Sequence, residues 1–355
     1  MSPRTRPAMG SLQSSSATLL YRIGRVVALA GLLPGCTQDA PLAPELTASC
    51  FELGDYVHLV NRVDSGGEAV AIAGSHAYVV GASLHVVDIS NPDQPVVVGR
   101  VVLPSDAHDV AVHDGYAYVA DGGAGLQVVD ISVSASPRIV GSANTPGDAY
   151  GVAVVDNYVY LADGPQGLLV LGISSPTRPV ILGNIDTPGW AYDLAVDGRY
   201  AFVADGSSGL QVANVANPSF PTIVGNLRLI TPGFFAWEVV TARGRAYVAG
   251  GAAGLKVVDI ADPGRPYVVG AHARSGATNV AIAGSNAYIT SSVGLEVVDI
   301  SRSAAPAILG RTATSAEPSG VAVAGARAFV AVGQAGMEVV DITTPASPGE
   351  CTPEG

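Results

Sequence analysis

Leu126-Gln127-Val128-Val129-Asp130 is one of seven copies of a short apolar motif. Leu84-His85-Val86-Val87-Asp88 precedes it. The others occupy 168–172, 210–214, 255–259, 295–299 and 337–341. The motifs close at positions 88, 130, 172, 214, 259, 299 and 341, in steps of 42, 42, 42, 45, 40 and 42 residues. So even a period over the chain marks one repeat architecture rather than several independent domains.

Each repeat carries four strand-like runs. In the second they are Asp109 to His113, Tyr116 to Ala120, Leu126 to Ile131 and Arg138 to Ser142. Asp114-Gly115, Asp121-Gly122-Gly123-Ala124-Gly125 and Ser132 to Pro137 separate them, as turn chemistry requires. The runs are apolar on both faces, as expected for sheets covered on both sides. Four short strands in 40–45 residues predict an all-β, seven-bladed β-propeller of four-stranded blades. Ala71, Ala111, Ala153, Ala195, Ala281 and Ala322 recur in the first run, where small side chains let blades converge on an axis.

The pentapeptide resembles the motif of the LVIVD-repeat family over residues 56 to about 345. Residues 126–130 and 255–259 match it closely, whereas Gly172 and Asn214 replace the final Asp in two copies. The resemblance implies a propeller in a bacterial envelope or surface setting, and no reaction. The last repeat stops after Asp341-Ile342, without a fourth strand. Tyr56-Val57-His58-Leu59-Val60 resembles the outer strand Pro95-Val96-Val97-Val98-Gly99 of the first repeat. The segment from Tyr56 to Val63 is therefore expected to complete the seventh blade, close the ring and remove an exposed sheet edge.

The 355 residues include 43 Gly and 24 Pro, with only 14% charged, which suits short strands and tight turns rather than disorder. The net charge is -12, and the first 35 residues carry Arg4, Arg6, Arg22 and Arg25 but no acid. The remainder is therefore more acidic still, which argues against nucleic acid as a partner.

Arg22 and Arg25 precede an apolar run from Val26 to Leu33, the pattern of a secretory signal. Leu33-Pro34-Gly35-Cys36 resembles the lipobox of bacterial lipoproteins, which implies lipidation of Cys36; Pro34 departs from the usual residue there. An ordinary cleaved signal with an incidental cysteine is the plainer alternative. The expected organisation is a signal over 1–35, a tether over 36–55, the propeller over 56–345 and a tail over 346–355. Cys50 and Cys351 bracket the repeats and are expected to form a disulfide.

In a propeller, loops entering the first strand and loops joining the second to the third share one face, the top. Its candidate binding residues are His108, Asp109, Tyr150, Tyr192, Asp193, Phe234, Phe235, Trp237 and Glu238. The 45-residue step contains Phe234-Phe235-Ala236-Trp237, three aromatics in an enlarged top loop that either offers its rings to a ligand or folds inward and packs on its own blade. Carboxylates beside aromatics suit a metal ion or an ammonium group. Asp121, Asp163 and Asp205 read more simply as turn residues, and Asp88, Asp130, Asp259, Asp299 and Asp341 as strand ends. The six His are scattered without ligand spacing, and no phosphate loop or nucleophile elbow occurs.

The leading expectation is an exported, lipid-anchored binding or scaffolding propeller, at the outer membrane or cell surface, without cofactor. It would recognise a protein or small ligand on its top face. An envelope hydrolase or lyase using the top carboxylates, a surface adhesin, and a secreted or periplasmic location are the alternatives.

Overall fold

The computed structural model describes residues 57–229, 232–272 and 276–343. Cys36, Cys50 and Cys351, with the leader, tether and tail, lie outside them. Among the described residues, 28 strands form seven antiparallel four-stranded sheets, the blades of a seven-bladed β-propeller. Blades one to six span 69–102, 109–143, 151–185, 193–227, 238–272 and 279–312. Within each, the strands lie side by side in chain order.

The core is divided among the blade interfaces. Among the described residues, seven apolar clusters occur, each drawn mainly from two neighbouring blades. One joins Tyr78, Leu84 and Val86 to Val110, Val119 and Val129; another joins Tyr118, Leu126 and Val128 to Val152, Leu161 and Leu171. This is why the second and third strands are apolar on both faces. The recurring alanines have a partner rule that their spacing alone does not reveal. Ala71, Ala111, Ala153, Ala195, Ala281 and Ala322 stand opposite Tyr78, Tyr118, Tyr160, Phe202, Tyr288 and Phe329 on the second strand. A small residue near the axis thus faces a buried ring that fills the widening space between blades.

The outer strands bend at a shared point. In blades one to six the third-to-fourth strand pairing carries a register shift, with glycine beside the extra residue. A Cβ on Gly99, Gly141, Gly183, Gly225 or Gly270 would strike a backbone carbonyl of the next blade: Ser134, Pro176, Pro218, Pro263 or Ser303 respectively. Glycine is required there by close backbone approach.

Blade seven contains 320–341 and the N-terminal strand His58–Val63, which pairs antiparallel with Met337–Asp341. Chain ends far apart in sequence thus share one sheet, and the ring closes. The register differs by one residue from the sequence match with Pro95 to Gly99. Leu59 faces Val340 as Val97 faces Val87, and Asn61 stands where Gly99 stands. Val57 and Val63 are buried in the clusters on either side of blade seven, and this packing sets the register.

Candidate functional site

The top face opens into an axial cavity of about 540 Å³. Most of its wall comes from one repeated position: the residue beginning each innermost strand and the one before it. Around the ring these pairs are Glu68-Ala69, His108-Asp109, Tyr150-Gly151, Tyr192-Asp193, Trp237-Glu238, Thr278-Asn279 and Ser319-Gly320. The backbone is close to sevenfold symmetric, but the side chains are not. Blades two to five contribute His108, Tyr150, Tyr192 and Trp237; the opposite arc contributes Glu68, Thr278 and Ser319.

The aromatic arc is continuous. His108 stacks on Tyr150 with centroids 4.7 Å apart, and Tyr150 meets Tyr192 at 5.3 Å. Tyr192 lies 5.2 Å from Phe235 and 5.0 Å from Trp237, with Phe235 and Trp237 at 4.4 Å. Trp190 extends the arc, 6.5 Å from both Tyr150 and Tyr192. These rings rest on the glycines of the loops joining second and third strands. A Cβ on Gly164 would lie 2.7 Å from Trp190 Nε1, and one on Gly206 3.0 Å from Phe235.

Asp109, Asp193 and Glu238 line the same cavity. Each also ties its blade to the following one. Val152 N–H donates to Asp109 (2.8 Å), Val239 N–H to Asp193 (2.9 Å) and Val280 N–H to Glu238 (3.0 Å). Burial in the axial well pushes the Asp109 carboxyl up to about 6 against the pull of the Val152 and Val110 N–H groups. Asp193 is pushed up to about 8, by burial and then by the charge of Asp109. Glu238 is held well above the carboxylate range by burial and by both aspartates. Among the described residues, no three His, Cys, Asp or Glu side chains converge closely enough to hold a metal ion.

The structure therefore assembles His108, Asp109, Tyr150, Tyr192, Asp193, Trp237 and Glu238 around one opening, with Phe235 in ring contact behind them. Phe234 is different: it is buried in the core between blades four and five. Blade five has Gly250 where other blades have Asp121, Asp163 and Asp205, and the Phe234 ring occupies the space a Cβ there would need. The aspartates face away from ligand chemistry. They accept N–H groups of Ser105, Gly147 and Gly189 and hold the entry loops. The strand-end group is also structural: Asp88, Asp130, Asp259, Asp299 and Asp341 accept N–H groups two residues on.

Sequence reasoning missed Trp190. A signal was present: Thr145-Pro146-Gly147-Asp148-Ala149-Tyr150, Thr187-Pro188-Gly189-Trp190-Ala191-Tyr192 and Thr231-Pro232-Gly233-Phe234-Phe235-Ala236-Trp237 are variants of one loop. The residue before the alanine is Asp148, Trp190 or Phe235, so two of three copies add a ring to the arc.

Fold and cavity define a seven-bladed propeller with an acidic, aromatic axial well on its top face. Seven LVIVD repeats are matched by the family model, at 66–102, 104–145, 146–187, 188–228, 236–273, 275–314 and 317–352. The chain belongs to the LVIVD-repeat family. No curated protein matches the sequence. Among solved structures, it is similar to BamB from Moraxella catarrhalis (TM-score 0.59, 11% identity, 82% of this chain and 98% of that one). It is also similar to the computationally designed Ika8 protein (TM-score 0.57, 11% identity, 80% of this chain and 98% of that one). At such identity the likeness concerns the fold alone.

Proposed function

We propose that the chain is an exported binding propeller that seats its ligand in the axial cavity of the top face. One observation carries this reading: sevenfold symmetry is broken at the cavity, where four consecutive blades present rings and the remaining three do not. A framework needs no such arc, since blade packing is already complete beneath it. Trp237 retains 39% exposure and Trp190 40%, so both rings are available to a partner. Asp109, Asp193 and Glu238 accept backbone N–H groups that join blades, which favours recognition over acid–base chemistry.

The chain's two tryptophans both belong to the arc, so emission reports on its occupancy. Affinity capture from envelope extracts, followed by titration of the retained fraction into the protein, is the test. A partner that shifts tryptophan emission and is lost with Trp237→Ala, at unchanged circular dichroism, supports the reading. Capture that ignores Trp237 moves the site to the blade rims.

Export belongs to the same proposal. It rests on the basic and apolar leader and on Cys36 as the lipid-bearing residue. Cys36→Ser is expected to release the protein from membranes. A wild-type protein that is already soluble and cut elsewhere would show an ordinary signal. A Cys50–Cys351 bridge is proposed with it, and unreduced peptide mapping that finds two free thiols would dismiss it.

A further inference from the structure

We propose that the axial cavity takes an alkylammonium group, seated against Tyr192 and Trp237 beside Asp193 and Glu238, and that the cation enters in exchange for a proton. This rests on the top-face reading above and specifies its ligand class.

Among the described residues, the cavity wall contains five acids, Glu68, Asp109, Asp193, Glu238 and Glu317, and neither lysine nor arginine. Its other titratable groups are His108, Tyr150 and Tyr192. An anion entering this well is repelled by each of these acids, whereas a cation gains with every acid on the wall. The choice among cations follows from geometry. The central acids come from blades two, four and five and surround an opening; among the described residues no triad closes on a point, as a metal ion would need. A bulky, weakly hydrated cation fits better, because aromatic faces can replace part of its hydration. Tyr192 and Trp237 meet at 63° with centroids 5.0 Å apart, and Tyr150 and Tyr192 at 55°, so the rings form an angled wall. The cavity volume lies within the roughly 300–1,000 Å³ of small-molecule sites.

Exchange follows from crowding. Three half-buried carboxyl groups sense one another around the well, and this crowding with partial burial favours the protonated forms of Asp193 and Glu238. An arriving ammonium charge favours the ionised forms. One carboxyl O–H bond then breaks heterolytically, the electron pair stays on the carboxylate, and the proton passes to buffer. The charge of the occupied cavity is unchanged. Affinity must therefore rise with pH as those protons become easier to remove.

The test is calorimetric titration of the full chain with choline and with its uncharged isostere 3,3-dimethylbutan-1-ol. Nα-acetyl-lysine methylamide stands for the same group carried on a protein. Either cation should bind at least about tenfold more tightly than the alcohol; the tighter one identifies the source. Heats in buffers of different ionisation enthalpy should show proton release, and affinity should fall about tenfold from about pH 8.5 to about pH 5.5. Asp193→Asn with Glu238→Gln should weaken binding about tenfold at unchanged circular dichroism. Equal binding of the alcohol, or affinity indifferent to pH, would overturn the proposal. Failure of both cations to bind while Trp237-dependent capture persists would overturn the ligand class and leave the site; failure of both would remove the site as well.

Discussion

The carboxylate of Asp193, on the innermost strand of blade four, accepts the backbone N–H of Val239 in blade five at 2.9 Å, 46 residues along the chain. A residue that lines the cavity is thus also a fastener of the ring. Asp193→Ala would leave the Val239 N–H without its acceptor and should cost about 1–3 kcal/mol. Asp193→Asn keeps an oxygen in place and should stay within about 1 kcal/mol of wild type. Urea unfolding of the two variants measures the difference; equal loss in both would show that this hydrogen bond does not hold the blades.

The same acids should make stability depend on pH in an unusual direction. Asp109 and Asp193 keep their protons in the folded state to about 6 and about 8, and Glu238 also holds its proton above the ordinary range. Between the unfolded values near about 4 and these folded values, the native state binds more protons. Stability from these groups is therefore full in acid and is lost as pH rises through the folded values. Melting temperature should fall by roughly 3–8 °C between about pH 5 and about pH 8.5. Asp193→Asn and Glu238→Gln should flatten the slope. A wild-type slope that survives both substitutions would assign it to the general acidity of the chain.

Trp190 rests on Gly164, whose φ is +54° and whose absent Cβ would lie 2.7 Å from the indole nitrogen. Gly164→Ala should cost about 1–2 kcal/mol for the left-handed backbone and also displace the ring. Gly198→Ala is the matched control, with φ of +58° and no heavy atom within 4 Å. Both should lose similar stability, and only the first should change near-ultraviolet circular dichroism and emission. An unchanged spectrum in Gly164→Ala would mean that the ring is not seated there.

Removal of residues 1–63 should open the ring. It exposes the Met337–Asp341 edge and withdraws Val57 and Val63, which are 4% and 8% exposed in place. The two valines alone are worth about 3–6 kcal/mol. Size-exclusion chromatography should show association through the bared edge, relieved by a peptide spanning 56–66. A truncated protein that stays monomeric and equally stable would show that the strand does not hold the ring shut.

Features that depend on short-range pattern are legible in the residues alone. Seven motifs at a near-constant step, four runs per repeat and a missing last strand specify seven blades and the closing strand, because strand alternation and turn chemistry are local. The aromatic arc was partly legible for the same reason: Tyr150, Tyr192 and Trp237 occupy equivalent positions in three repeats. Tertiary structure alone decided the rest. The one-residue register of His58–Val63 was set by burial of Val57 and Val63 in two different clusters. Phe234 turned inward because Gly250 left room that only a three-dimensional neighbour reveals. The dual part played by Asp109, Asp193 and Glu238 was not legible either, since their N–H partners lie 42 to 46 residues away, on the following blade. A hydrogen bond across a blade interface has no local signature. It exists only once the ring has brought two innermost strands side by side.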